Sequence, residues 1–166
     1  PYMRRPAEEQ DAEDYRTVYA EVPGSVAAPT AGLHLDAQLM ANLSASTSIH
    51  HITLHVGAGT FKPLVEGDVR NHVMHGENCS VSFDAIQALA EDGVHRVATG
   101  TTSLRTLESL YWLAIKWKET GEQPFELNQW EWRNELGTKA DRLGWSMETA
   151  MQWLSLIHIS EPTRRI

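Results

Sequence analysis

The chain has 166 residues, of which 42% are hydrophobic and 22% are charged. This composition excludes a disordered, collagenous or coiled-coil chain, and the length suffices for one packed domain. The chain has 14 lysines and arginines and 22 aspartates and glutamates, and its formal charge of -8 gives no sign of a phosphate-binding surface. The single cysteine, Cys79, excludes an intramolecular disulfide framework and suits a reducing compartment, so we expect a cytoplasmic protein. No stretch is apolar enough to predict a membrane span.

The first predicted elements are a strand and a helix. Residues 15–20 are aromatic and β-branched, which is typical of a short strand. Asp36 is predicted to cap a helix. The helical spacing assigns Leu39, Met40 and Leu43 to its apolar face.

A second strand is predicted over residues 49–56, where apolar and polar residues alternate. One face would carry Ile52, Leu54 and Val56. The other would carry His51, Thr53 and His55. We expect the first face to be core and the second to belong to a site.

The second half of the chain predicts helices separated by another strand. Ser82 is expected to cap a helix over residues 83–92, with Gly93 at its left-handed end. A strand over 94–98 and a helix that ends at Gly121 follow. Farther on, Ser146 is expected to cap a helix through Leu154. Alternating strands and helices predict an α/β fold, a layered sheet with flanking helices and at least partly parallel strands.

Seven of the eight histidines lie between positions 34 and 95. His72, His75 and Glu77 have the residue types of a metal site, to which His55 could add a third imidazole. Their spacing matches no known zincin pattern, and the same residues serve equally as acids, bases or polar binding groups. We therefore predict no metal. His50 and His95 are interpreted as ordinary residues of strands.

Residues 100–103, Gly-Thr-Thr-Ser, form a predicted strand-to-helix turn with three consecutive hydroxyls. N–H groups at a helix N-terminus suit a carboxylate, a phosphate or a ribose, and Arg105 strengthens this interpretation. The alternative is that Ser103 only caps the helix. Residues 29–34 and 56–61 also place glycines beside polar residues, either as tight turns or for close approach to a flat ligand.

Five segments resemble, in order and in spacing, the signature of the S-adenosylmethionine:tRNA ribosyltransferase-isomerases of queuosine biosynthesis. They are residues 15–20, 24–34, 55–63, 72–77 and 100–108. Two positions depart from the family's pattern: Arg16 stands where glutamine is usual, and Leu35 where phenylalanine is usual.

The resemblance implies transfer and isomerisation of the ribosyl moiety of S-adenosylmethionine onto 7-aminomethyl-7-deazaguanine in tRNA. Epoxyqueuosine forms, and adenine and methionine leave. The expected partners are S-adenosylmethionine, as a co-substrate, and tRNA that carries the queuosine precursor. We expect no other cofactor, no membrane and no stable protein partner.

The resemblance also implies a larger α/β domain with an inserted β-barrel domain that is mostly or wholly missing here. We expect residues 1–154 to be a partial α/β catalytic domain that is inactive by itself. Residues 155–166 show no periodicity that continues the last helix, and they resemble translated adapter sequence. We interpret them as a non-native tail.

The candidate catalytic residues are His55, His75 and Glu77. The candidate substrate-binding residues are Pro29, Thr30, Gly32, His34, Gly57, Gly59, Thr60, Phe61, His72, Thr101, Thr102, Ser103 and Arg105. Two alternatives stay open at this point: an adenosine- or metal-binding module without turnover, and a metal-dependent hydrolase that uses His55, His72, His75 and Glu77.

Overall fold

A computed structural model describes residues 5–6, 8–61, 67–124, 126–156 and 164–165, without the side chains of 60, 61, 69, 164 and 165. The described residues belong to two compact units. The first consists of Pro1–His50 and His55–His75, and the second of His51–Leu54 and Gly76–Ile166.

The first unit is built from short helices and turns. Helix α1 (Asp11–Asp14) is followed by α2 (Ala37–Ser44), and 3₁₀ turns cover Thr30–His34, Ala58–Phe61 and Val69–Asn71. The cap predicted for α2 is confirmed, because the Asp36 carboxylate accepts a hydrogen bond from the Leu39 N–H at 2.7 Å.

The strand predicted over residues 15–20 is wrong. The segment leaves α1 through turns, in which the Arg16 N–H donates to the Glu13 carbonyl and the Ala20 N–H to the Thr17 carbonyl, both at 3.1 Å. Local hydrogen bonds within the segment take the place of a ladder with a partner strand.

A small sheet has the strands β1 (Ile52–His55), β2 (Asn78–Val81) and β3 (Arg164–Arg165), in the order β1-β2-β3. These strands belong to the second unit, except for His55 at the end of β1, which belongs to the first. β2 and β3 are antiparallel, with Asn78 opposite Arg165, so this pair is not the parallel pairing that the sequence predicts. β1 is shorter than the predicted strand, and all four of its residues are half-buried, so its two faces do not divide into core and surface.

The strand predicted over residues 94–98 is also wrong, because this segment has no regular structure and the side chain of Val97 is 82% exposed. The side chain of Arg96 holds the backbone of this segment in place of a strand ladder. The Arg96 guanidinium binds the Glu148 carboxylate at 2.9 Å and also donates to the Glu91 and Val94 carbonyls.

Four helices complete the second unit. They are α3 (Phe83–Leu89), α4 (Thr101–Thr120), α5 (Gly137–Leu143), which follows a π-helical turn over Trp132–Leu136, and α6 (Met147–Leu156). The predicted N-terminal caps are confirmed, because Ser82 and Ser146 accept hydrogen bonds from the N–H groups of Ala85 and Thr149. Gly121 ends α4 as predicted, with φ of +72°. The end predicted for α3 is wrong, because the helix stops at Leu89 with a right-handed Ala90 as its C-cap, and Gly93, with φ of +71°, lies in the turn that follows.

The core of the second unit lies where α3, α4 and α6 meet. Its fully buried apolar side chains include Ile86, Ala114, Met151 and Leu154, and Ile52 of β1 packs against them. A smaller cluster joins α4 to the turn before α5 and to α5 itself through Ile115, Leu136 and Ala140.

The described residues therefore form a helix-rich fold with a small sheet and flanking helices, which is compatible with the α/β class predicted. None of the helices in the described ranges is long and apolar enough to cross a membrane. The boundary placed at residue 154 stays a prediction, since α6 continues to Leu156 and residues 157–163 and 166 lie outside the description.

Candidate active site

His55 ends β1 and lies against a glycine from a distant part of the sequence. A Cβ built on Gly24 would lie 2.8 Å from Nδ1 and 3.1 Å from Cε1 of the His55 ring. The Gly24 segment is fixed beside residue 56, because the Val56 N–H donates to Ser25 Oγ at 2.8 Å and the Val26 N–H donates to the Val56 carbonyl at 2.9 Å. His55 is half-buried and thus packs on Gly24, directly before a segment that is hydrogen-bonded to residue 56.

His75 has a similar neighbour in Gly59. A Cβ built on Gly59 would lie 2.8 Å from Cβ and 3.0 Å from Cγ of His75. Gly59 belongs to the 3₁₀ turn Ala58–Phe61, so this turn approaches His75 at the root of its side chain.

Gly32, in the 3₁₀ turn Thr30–His34, is buried under an aromatic side chain. A Cβ there would overlap the hydroxyl oxygen of Tyr19 and lie 3.0 Å from Cγ2 of Thr17, which is buried too. The close approach predicted at Gly32 is therefore made by a side chain of this chain.

The other predicted residues of the first unit differ in exposure. Pro29, Thr30 and His34 are exposed, and His72 is half-buried. Gly57 is exposed, and a Cβ on it would meet no atom of the described residues within 4 Å. The side chains of Thr60 and Phe61 lie outside the described part of the chain.

In the second unit, Glu77 forms an ion pair with Arg105. Glu77 Oε2 lies 2.7 Å from Nη2 of Arg105, and the Glu77 side chain is only 4% exposed while that of Arg105 is 38% exposed. Glu77 immediately precedes β2, and Arg105 lies in the second turn of α4. The pair therefore ties the start of β2 to the beginning of the long helix.

The start of α4 has no side-chain cap. Its N-cap residue is Gly100, with φ of +95°, and Ser103 lies inside the helix, so the alternative in which Ser103 caps α4 is wrong. Thr101 is exposed, and Thr102 and Ser103 are half-buried. The Thr102 carbonyl accepts a hydrogen bond from the Thr106 hydroxyl at 2.9 Å, which adds a side-chain bond to the first turn.

Among the described residues, no three His, Cys, Asp or Glu side chains are grouped so that they could hold an ion. What the arrangement does offer is two half-buried imidazoles packed on glycines in the first unit. The second unit offers a cation, Arg105, held by a buried carboxylate.

Sequence reasoning did not select two residues that take part in these contacts. Tyr19 and Gly24 lie in segments that carry the family resemblance, but they read as a strand residue and a turn residue. Only their position in those segments could have identified them, since nothing in their immediate sequence shows that Tyr19 contacts Gly32 or that Gly24 contacts His55.

Comparison with known proteins identifies relatives. The family model described as "Queuosine biosynthesis protein" matches residues 1–130. A protein of Francisella philomiragia named S-adenosylmethionine:tRNA ribosyltransferase-isomerase is 54% identical over 113 residues, which are 66% of this chain and 33% of that protein. A protein of the same name from Francisella tularensis subsp. novicida is 51% identical with the same coverage.

The chain spans about a third of the length of these curated relatives. No solved structure matches it. Because the family model covers well over half of the chain, the chain belongs to the queuosine biosynthesis protein family.

Proposed function

We propose that this chain supplies part of the active site of an S-adenosylmethionine:tRNA ribosyltransferase-isomerase. The reaction transfers and isomerises the ribosyl moiety of S-adenosylmethionine onto 7-aminomethyl-7-deazaguanine in tRNA, and it releases adenine and methionine. The family match over residues 1–130 carries the proposal, because that range contains every candidate site residue. The names of the relatives, at 51–54% identity, support it.

We assign proton transfer to His55 and His75. The reaction needs a base that removes a proton from the carbon beside the positive sulfur, and an acid that protonates the departing purine. An ordinary imidazole titrates near pH 6.5 and performs either task at neutral pH. Both rings are half-buried and packed on glycine backbone, which restricts their orientation and favours this role.

We assign Arg105 and the hydroxyl groups at the start of α4 to substrate binding. A guanidinium and a helix N-terminus both suit a carboxylate, here that of the methionine moiety, or a ribose hydroxyl. The ion pair with Arg105 gives Glu77 a further role, in which the buried carboxylate orients the cation. We place Glu77 in this role in preference to acid or base catalysis, since its charge is already engaged.

We also propose substrates and a location for the reaction. S-adenosylmethionine acts as a co-substrate, and the second substrate is tRNA that carries the queuosine precursor. We propose that the reaction uses no metal or further cofactor, involves no stable protein partner and takes place in the cytoplasm.

A chimera tests the proposal. Residues 1–130 of this chain replace the corresponding segment of the Francisella philomiragia relative, and adenine release is measured with S-adenosylmethionine and precursor-containing tRNA. In the active chimera, His55→Ala and His75→Ala should each lower kcat about 10²- to 10⁴-fold with KM largely kept. Thr102→Ala should mainly raise KM.

His50→Ala is the matched control, because His50 is an exposed imidazole five residues before His55. Normal turnover in both His55→Ala and His75→Ala would refute the assignment of proton transfer. A folded chimera that binds S-adenosylmethionine without releasing adenine would favour the binding-module alternative.

A further inference from the structure

We propose that Gly24 and Gly59 are positioning residues that fix the imidazoles of His55 and His75. This inference rests on the proposed function, because it gives the two glycines a purpose in proton transfer. The contacts themselves do not depend on the reaction and can be tested without it.

The contact at Gly24 involves the far end of the His55 side chain. The built Cβ would lie 2.8 Å from Nδ1, closer than real Cβ atoms approach a heavy atom. The ring is the movable partner, since the segment after Gly24 is bonded to residue 56: Ser25 Oγ accepts from the Val56 N–H, and the Val26 N–H donates to the Val56 carbonyl. A methyl group at Gly24 should therefore turn the imidazole away from its present direction.

The contact at Gly59 involves the root of the His75 side chain. The built Cβ would lie 2.8 Å from the Cβ of His75, an atom that the backbone fixes. Rotation of the ring cannot relieve this contact, so the turn Ala58–Phe61 and residue 75 must move apart. We therefore expect Gly59→Ala to displace the whole imidazole. The steric contact in Gly59→Ala should also lower the free energy of unfolding more than the ring contact in Gly24→Ala does.

Two other glycines of the same unit show that such contacts are not general. Gly57 has no positive φ, and among the described residues nothing lies within 4 Å of a Cβ built on it. Gly67 has φ of +124°, close to the +137° of Gly24, and no described atom lies within 4 Å of its Cβ position either. Gly57→Ala is thus the matched control for Gly59→Ala, and Gly67→Ala reproduces the backbone strain of Gly24→Ala without a ring contact.

The first experiment follows the histidine rings directly. The ¹³Cε1–¹Hε1 signals of the 166-residue chain are recorded by NMR, with His55 and His75 assigned from the signals lost in His55→Ala and His75→Ala. Gly24→Ala should shift the His55 signal and Gly67→Ala should not. Gly59→Ala should shift the His75 signal and Gly57→Ala should not.

A double-mutant cycle keeps the inference testable if Gly59→Ala unfolds readily. In the His75→Gly background the facing Cβ is gone, so Gly59→Ala should destabilise the chain less there than in the original background. The corresponding cycle combines Gly24→Ala with His55→Ala. Equal destabilisation in both backgrounds would show that the contacts do not cause the effect.

The chimera supplies the kinetic measurement. Small displacements of a reacting group can lower turnover about 10²-fold, so Gly24→Ala and Gly59→Ala should lower kcat by this order while KM is largely kept. Unshifted ring signals in Gly24→Ala and Gly59→Ala would overturn the positioning role whatever the reaction is. Shifted signals combined with normal turnover in His55→Ala and His75→Ala would instead overturn the proposed function and leave the contacts established.

Discussion

Glu77 and Arg105 differ in burial, because the Glu77 side chain is almost fully buried and the Arg105 side chain is more than one third exposed. A buried carboxylate needs a cation or several hydrogen-bond donors to offset its loss of hydration. Arg105 supplies the charge through Nη2, which is itself buried against the carboxylate. Glu77 therefore fixes one end of a cationic side chain that is still partly exposed.

We predict that Glu77→Gln destabilises the second unit. The amide keeps the shape of the side chain but removes the charge, and it leaves Arg105 without its ionic partner. The expected loss is about 1 to 3 kcal/mol in the free energy of unfolding, less than for a fully buried pair because Arg105 is partly solvated. Urea denaturation measures this loss.

Glu108→Gln is the control for that measurement, since Glu108 is an exposed glutamate three residues after Arg105 on the same helix. It should change the unfolding free energy by no more than about 0.5 kcal/mol. If Glu77→Gln behaves like Glu108→Gln, the ion pair does not stabilise the fold.

Individual glycines show where residue-level prediction ends. The sequence leaves two explanations open for Gly32, Gly57 and Gly59, tight turns or close approach to a flat ligand. The structure places Tyr19 on Gly32 and His75 beside Gly59, and no described residue lies within 4 Å of a Cβ built on Gly57. Gly24 escaped selection because its partner His55 is 31 positions away, and only the fold brings distant positions together.

Helix ends and strands differ in how well the sequence predicts them. The caps at Asp36, Ser82 and Ser146 are correctly predicted, because a cap bonds to an N–H only three residues away. The strands over 15–20 and 94–98 are wrong, because a strand also depends on a partner and on a half-buried surface. Residues 94–98 have β-forming side chains but no such surface, as the exposure of Val97 shows.

Helix α6 begins at a small network of polar groups. The carboxylate of Glu148 accepts hydrogen bonds from its own backbone N–H and from Ser146, and it also binds Arg96. Together these interactions lower the pKa of the Glu148 carboxyl from its ordinary value of 4.5. The partner Arg96 belongs to the irregular segment between α3 and α4. The network thus fastens that segment to the start of α6.

We predict that this network makes stability depend on pH in the acid range. Because the folded pKa of Glu148 is lowered, its contribution is fully present above pH 4.5 and is lost as the pH falls through the folded value. Glu148→Gln should therefore show a smaller fall in unfolding free energy between pH 5 and lower pH than the original chain. Urea melts at a series of pH values measure the two slopes.

The exposed Glu122→Gln is the comparison for the pH series. Its slope should match that of the original chain. Equal slopes in Glu148→Gln and the original chain would mean that the network does not couple protonation to folding.

At the scale of the whole molecule, two units carry different parts of the proposed chemistry. His55 and His75 are in the first unit, and Glu77, Arg105 and the start of α4 are in the second. Composition correctly predicted a chain able to form a core, and the five motifs identified the family. The sequence could not show that the core of the second unit is largely helical, because apolar spacing does not reveal which elements meet.

We predict that the 166-residue chain alone releases no adenine from S-adenosylmethionine in the presence of precursor-containing tRNA. It spans about a third of the length of its curated relatives, and a catalytic site works only when all of its groups are in place. The chimera is the positive control in the same assay. Turnover by the chain alone would show that the matched third is sufficient.

The aromatic residues around α4 and α6 have an optical consequence. The ring centroids of Trp145 and Trp153 lie 5.6 Å apart. The ring of Trp153 also packs edge to face on that of Trp117, with 5.7 Å between the centroids. All six tryptophans of the chain lie between positions 112 and 153, and the segments of the first unit contain none. Tryptophan emission is therefore a direct reporter of the second unit only, whereas loss of order around His55 and His75 has to be followed through tyrosine emission or the imidazole signals.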